Sequence, residues 1–183
     1  YHLSKEARYY IGGLFRYIKE ICLVLSQWVN SYKRLVAGYE APVYICWGTR
    51  NRSALVRIPE YKPGKEKATR IELRSPDPAC NPYLAFALML EAGLKGIEGK
   101  LEPPPPVEID VFKLSESERK KLNIDCLPGS LEEAVREFEK SQLAKEVLGE
   151  HIFESLVANK KVEWDRYRLH VSQYELEKYL PWL

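Results

Sequence analysis

The sequence predicts an α+β fold, a small antiparallel sheet flanked by helices, on three observations. Apolar residues recur every three or four positions at both ends of the chain. Between them, residues 43–74 hold short β-rich runs separated by polar turns. Asn81-Pro82 then opens a new apolar segment with a helix N-cap followed by proline at the first helical position.

The first helix is expected over 3–29 (LSKEARYYIGGLFRYIKEICLVLSQWV), capped by Ser4, with Tyr10, Leu14, Ile18 and Ile21 on one stripe. Gly12-Gly13 in its middle costs about 1 kcal/mol per residue of helix propensity relative to alanine. A close crossing with another element would account for the pair. NSYKRLVAGYEAP (30–42) shows no period and reads as a loop. VYICW (43–47), SALVRI (53–58) and TRIELR (69–74) read as strands, with KPGKEK (62–67) as a hairpin turn. NPYLAFALMLEAGLKGI (81–97) is apolar nearly all round, which predicts a buried helix. PPPP (103–106) opens a connection running to about residue 129, read as an exposed linker rather than a ligand for a proline-binding domain. SLEE (130–133) is a capping box opening a helix that Gly149 can end. Helices continue over 150–171 and SQYELEKYL (172–180), where the stripe Trp164, Tyr167, His170 and Val171 is expected to be core or subunit contact.

With 183 residues, 45% of them hydrophobic, the chain can bury a sizeable core. Its net charge of +2 argues against an extended nucleic-acid surface. Residues 33–74 nevertheless carry ten Lys/Arg against four Glu, a local field suited to a compact polyanion such as a nucleotide tail. Cys22, Cys46, Cys80 and Cys126 form no CxxC pair, so buried free thiols in a reducing cytoplasm are expected. No apolar run reaches the ~18–20 residues that span a bilayer, so no membrane association is expected. The first residue is Tyr1 and not Met, as in an excised piece or a processed product.

The candidate site is the set Arg34, Glu40, Arg50, Arg52, Arg57, Arg70, Glu72 and Arg74. Guanidinium groups suit phosphate and carboxylate because their planar fork donates two parallel hydrogen bonds and stays charged. In RIELR, alternation places Arg70, Glu72 and Arg74 on one face of a strand. Two readings stand side by side: cross-strand ion pairs worth about 0.2–1 kcal/mol each, or a site. Arg52 and Arg57 are five apart, so a regular strand would aim them at opposite faces, and serving one ligand needs a bulge or bend. His2, His151 and His170 show no metal-ligand spacing.

NSYKRLVAGYEAP, NRSALVRIP, RIELRSPDP and NPYLAF stand in the order and spacing of the second half of glutamine synthetase, and the chain resembles that family, of type I, over essentially its whole length. The resemblance implies the C-terminal part of the catalytic domain, a single partial domain over 1–183. It would divide into a helix (1–29), loop and sheet carrying the site (30–78), a buried helix (81–98), a Pro-containing connection (99–129) and C-terminal helices (130–183). The amino-terminal β-grasp domain would be absent. The implied activity is an ATP-dependent glutamate–ammonia ligase that makes glutamine through γ-glutamyl phosphate. The implied cofactors are Mg²⁺ or Mn²⁺, and the implied partners are glutamate, ammonia, ATP and like subunits in a ring-shaped homo-oligomer.

Carried over by motif, Arg34 and Arg74 resemble the arginines that hold the glutamate carboxylate. Glu40 resembles the flap glutamate that closes the glutamate entrance and helps deprotonate ammonium. Arg52 resembles the arginine facing the transferred phosphate, and Arg57 and Arg70 those on the nucleotide phosphates. Glu72 resembles a metal ligand, and is the sole one in this chain. Ala37 stands where the family usually has proline, and Phe112 where adenylylated members have tyrosine, so that covalent control is not expected. A chain of this extent is expected to be inactive alone. The alternatives are a non-catalytic truncated assembly or binding module, and a γ-glutamyl-amine ligase of the same family.

Overall fold

The computed structural model describes residues 1–49 and 51–182. Helix α1 (Lys5–Leu25) is capped by Ser4, whose Oγ accepts the Ala7 N–H at 3.1 Å. Ile11, Leu14, Ile18, Ile21 and Leu25 form its fully buried stripe. Helix α3 (Pro82–Glu98) packs across it and α5 (Leu131–Glu139) lies alongside. The α1–α3 crossing is made by glycine. A Cβ on Gly13 would sit 2.2 Å from the Ala92 carbonyl oxygen, and one on Gly96 would sit 2.2 Å from that of Tyr9. The close crossing expected for the Gly12-Gly13 pair is therefore present.

Strands β1 (Tyr44–Gly48), β2 (Ala54–Arg57), β3 (Glu72–Leu73) and β4 (Asp125–Cys126) form one sheet in the order β3-β2-β1-β4. The α+β class with a small sheet holds, but the sheet is mixed. The two outer pairings are antiparallel, whereas β1 and β2 run parallel, with Tyr44 opposite Ala54 and Gly48 opposite Arg57. Parallel neighbours normally need a crossover of a dozen or more residues. Here residues 49–53 suffice, because the return along the strand is only about 10 Å and the connection can reach about 20 Å. Asn51 folds it: its Oδ1 accepts the Ser53 N–H at 2.9 Å. The β2–β3 link is the expected hairpin, with Gly64 at φ 78 in its turn and a bond from Lys65 N–H to Lys62 O.

Further expectations need correction. Residues 30–42 are not all loop: α2 (Val29–Arg34) is helical, six residues being too short to display a period. Helix α3 is not buried all round. Ala85, Leu88, Ala92, Gly93 and Gly96 face the core, while Tyr83, Phe86, Leu90 and Leu94 are exposed, because small residues let only one face close on α1. The proline tract is not an exposed linker. Pro103 is buried, Trp47 Nε1–H donates to Pro104 O at 2.7 Å, and Val107 N–H donates to Trp47 O at 2.8 Å. Helix α4 (Glu116–Lys121) and β4 then carry the connection back to the sheet. Finally, Cys22 and Cys46 are buried as expected, but Cys80 is half-buried and Cys126 exposed.

The helix begun at Ser130 stops at Glu139, and Ser141 caps α6 (Gln142–Arg168), which breaks at Gly149 with φ 74. The Ser130 capping box is opened on one side, since Glu133 accepts from Gly129 N–H at 2.7 Å. Helix α7 (Gln173–Tyr179) opens with a Ser172–Glu175 capping box. In the Trp164 stripe only Trp164 packs on the core; Tyr167, His170 and Val171 are exposed. No helix among the described residues is long and apolar enough to cross a membrane.

Candidate active site

Three adjoining hollows gather the candidate residues. The central one, about 740 Å³, is lined by Glu40, Arg52, Arg57 and Arg74, together with Tyr39, Glu108, Asp110 and Phe112. A second, about 550 Å³, is lined by Arg34, Tyr39, Glu40, Ala41 and Arg74. A third, about 430 Å³, is lined by Arg57, Arg70, Lys62, Lys65 and their neighbours. Glu40 and Arg74 belong to both of the first two, and Arg57 to both the first and third. The hollows thus form a chain from Arg34 at one end to Arg70 at the other.

The arrangement follows from the local fold. Arg52 lies in the tight 49–53 return and not on β2, so it shares a cavity with Arg57 at the end of β2 without any need for a bulge between them. Arg57 and Glu72 are cross-strand partners. Glu72 Oε1 accepts from Arg70 Nε at 2.9 Å and Nη2 at 2.6 Å, and its Oε2 lies 3.6 Å from Arg57 Nε. The ion-pair ladder and the candidate site are therefore one structure, in which Glu72 spaces two arginines. Arg74 leaves the ladder. Its guanidinium donates to the backbone carbonyls of Arg52, of Ala54 at 3.2 Å and of Glu40 at 3.1 Å. Arg34 likewise donates to Ser75 O at 3.0 Å and Arg74 O at 3.4 Å. Both arginines tie segments together as well as lining a hollow. Arg50 lies outside the described residues.

Burial, followed by the like charge of Arg57, lowers the Arg74 pKa below its usual range, with Glu72 and Glu40 opposing. Glu108 accepts the Thr49 N–H on both oxygens at 3.0 and 3.2 Å, the Thr49 hydroxyl at 3.1 Å and the Tyr1 hydroxyl at 2.8 Å. Burial, then the Glu108 bond and its charge, push the Tyr1 phenol up to about 12.

The sequence reading missed Tyr39, Glu108, Asp110 and Phe112. Tyr39 sits beside Glu40 and could have been included on adjacency alone. The other three follow the proline tract, and no local signal distinguishes a docked connection from a free one. Among the described residues no three His, Cys, Asp or Glu side chains gather to hold a metal ion. The Glu72 oxygens face Arg70 and Arg57.

A family model described as "Glutamine synthetase, catalytic domain" matches residues 1–179. Glutamine synthetase of Methanosarcina mazei is 53% identical over 181 residues, covering 99% of this chain and 40% of that protein. The Thermotoga maritima glutamine synthetase is 52% identical over 178 residues, covering 97% and 40%. Among solved structures, ligand-free GmaS superposes with a TM-score of 0.80 at 36% identity, covering 97% of this chain and 39% of that one. The GmaS/ADP complex gives 0.82 at 34% identity, covering 98% and 40%. The chain spans about 40% of the length of these relatives. A match along nearly every residue, with the arginine motifs gathered into adjoining hollows, places this chain in the glutamine synthetase catalytic-domain family.

Proposed function

We propose that this chain is the C-terminal, arginine-bearing part of an ATP-dependent glutamate–ammonia ligase that makes glutamine through γ-glutamyl phosphate. The observation that carries the reading is the chain of three adjoining hollows that brings Arg34, Glu40, Arg52, Arg57, Arg70 and Arg74 together. With the roles that the family resemblance gives these residues, the hollows would run from glutamate through the transferred phosphate to the nucleotide. In that reaction a glutamate γ-carboxylate oxygen bonds to the terminal phosphorus of ATP and ADP leaves. Ammonia then attacks the acyl carbon and phosphate departs.

The residues take roles that suit these charges. Arg34 and Arg74 hold positive charge where the glutamate carboxylate sits. With its fork on three carbonyls, Arg74 offers charge and its remaining N–H groups. Arg52 and Arg57 disperse charge on the transferring phosphoryl group, and Arg57 and Arg70 serve the nucleotide phosphates. Glu40 stands on the 36–41 loop between two hollows, where it can close the glutamate entrance and accept a proton from ammonium. Glu72 is the one carboxylate this reading offers to Mg²⁺ or Mn²⁺. The complete enzyme would work in the cytoplasm as a ring of like subunits.

The two relatives named glutamine synthetase stand at 52–53% identity, which favours ammonia as the acceptor. Because no three His, Cys, Asp or Glu side chains gather for a metal ion among the described residues, the isolated polypeptide is expected to form no glutamine from glutamate, ammonium and Mg-ATP. A coupled assay for released phosphate, with glutamine measured directly, checks this. Metal-dependent turnover comparable to an intact enzyme would refute it.

A further inference from the structure

Arg52 makes its contribution from the return that joins β1 to β2. Besides Arg74, the segment after the proline tract holds that return. Asn51 and Ser53, at 3% and 1% exposure, are buried on either side of the exposed Arg52. Asn51 Nδ2–H donates to Val107 O at 2.9 Å, and Val111 N–H donates to Ser53 Oγ at 3.0 Å. Gly48 approaches the same strip so closely that a Cβ there would lie 2.5 Å from Val107 O. Glu108 completes the seam on the outside, taking the Thr49 N–H and hydroxyl.

Resting on the phosphate role assigned to Arg52 above, we propose that Glu108 is a positioning residue for that arginine, holding the 49–53 return against residues 107–111 through Thr49. A carboxylate lining an anion-binding cavity should, by charge alone, weaken anion binding. By fixing the arginine it should strengthen it, since a guanidinium held in place loses less freedom on binding. The two effects have opposite signs, so they can be separated.

The test uses inorganic triphosphate as the probe and two variants of this chain. Glu108→Ala removes both charge and acceptor. Glu108→Gln removes the charge and keeps an oxygen for the Thr49 N–H. Calorimetric titration is expected to show triphosphate binding to E108A weakened about tenfold, and binding to E108Q equal to or tighter than wild type. Hydrogen exchange is expected to quicken at the Thr49 and Ser53 amides in E108A, with exchange at Leu55 and Ile18 unchanged.

Tighter binding by both variants would show that only charge operates and would overturn the proposal. Unchanged exchange at Thr49 in E108A would overturn it as well, whatever triphosphate does. If the wild-type chain takes no triphosphate, the phosphate reading of the cavity falls. Faster Thr49 exchange in E108A, restored in E108Q, would then still establish the seam.

Discussion

Arg74→Ala is expected to unfasten the candidate site while leaving the helical core folded. One guanidinium joins the 49–53 return, the start of β2 and the Glu40 loop through three carbonyls. Hydrogen bonds to a charged group each contribute about 1.5–3 kcal/mol net, and water recovers part of that when the carbonyls open. A loss of about 3 kcal/mol in unfolding free energy follows, a large share of the ~5–15 kcal/mol typical of a domain. Urea denaturation measures it, and amide exchange should rise at residues 38–41 and 52–54 ahead of α1. Arg74→Lys sharpens the result, because a point ammonium keeps the charge but cannot present a planar fork to three acceptors. It is expected to recover less than half of the loss. Full recovery in the lysine variant would mean that charge, and not the staple, is what matters.

Gly96→Ala and Gly13→Ala are expected to destabilise the chain by at least about 1–3 kcal/mol, the usual cost of overpacking a fitted contact. On an open helix face the same change would stabilise by about 1 kcal/mol, so the sign alone is diagnostic. The new methyl on Gly96 would meet Tyr9 O at 2.2 Å and Gly13 Cα at 2.6 Å. The one on Gly13 would meet Ala92 O at 2.2 Å and Gly96 Cα at 2.7 Å. These are backbone atoms, so the helices themselves must part. Once one methyl has parted them, the second costs less, and the double variant should fall short of the sum. Thermal unfolding of the two single variants and the double checks all three statements. The effect should reach the site too. Asp77 N–H donates to Leu25 O at the end of α1, which fixes the strip running from Arg74 to the start of α3.

The elements that could be read from sequence are those specified by residues close together in it. Ser4, Asn81 and Ser172 act as helix caps where their local context says they should. Gly12-Gly13 announced a close approach because nothing else excuses two glycines in mid-helix. The arginines of the candidate site were legible because all eight of the named residues lie within forty-one positions.

What could not be read depended on distant partners. The parallel β1–β2 pair rests on Asn51 finding Val107, fifty-six positions away. Docking of the proline tract depends on Trp47, and the exposure of Tyr83 and Phe86 depends on which face of α3 the small residues turn to α1. Glu108 became visible only once those contacts had formed. RIELR shows both cases at once. Alternation placed its charges on one face, but only the fold shows that Glu72 spaces Arg57 and Arg70 while Arg74 staples three backbones.

The measurement that bears most directly on the proposed role is glutamine formation by a chimera. In it, this chain replaces the 181 matching residues of the Methanosarcina mazei glutamine synthetase. The expected result is Mg²⁺-dependent glutamine synthesis by the chimera, and a loss of about a hundredfold or more in kcat when Arg52 is replaced by alanine, in line with removing one charge-stabilising donor at a transition state. A folded, assembled chimera that binds ATP yet makes no glutamine, or one indifferent to Arg52→Ala, would contradict it.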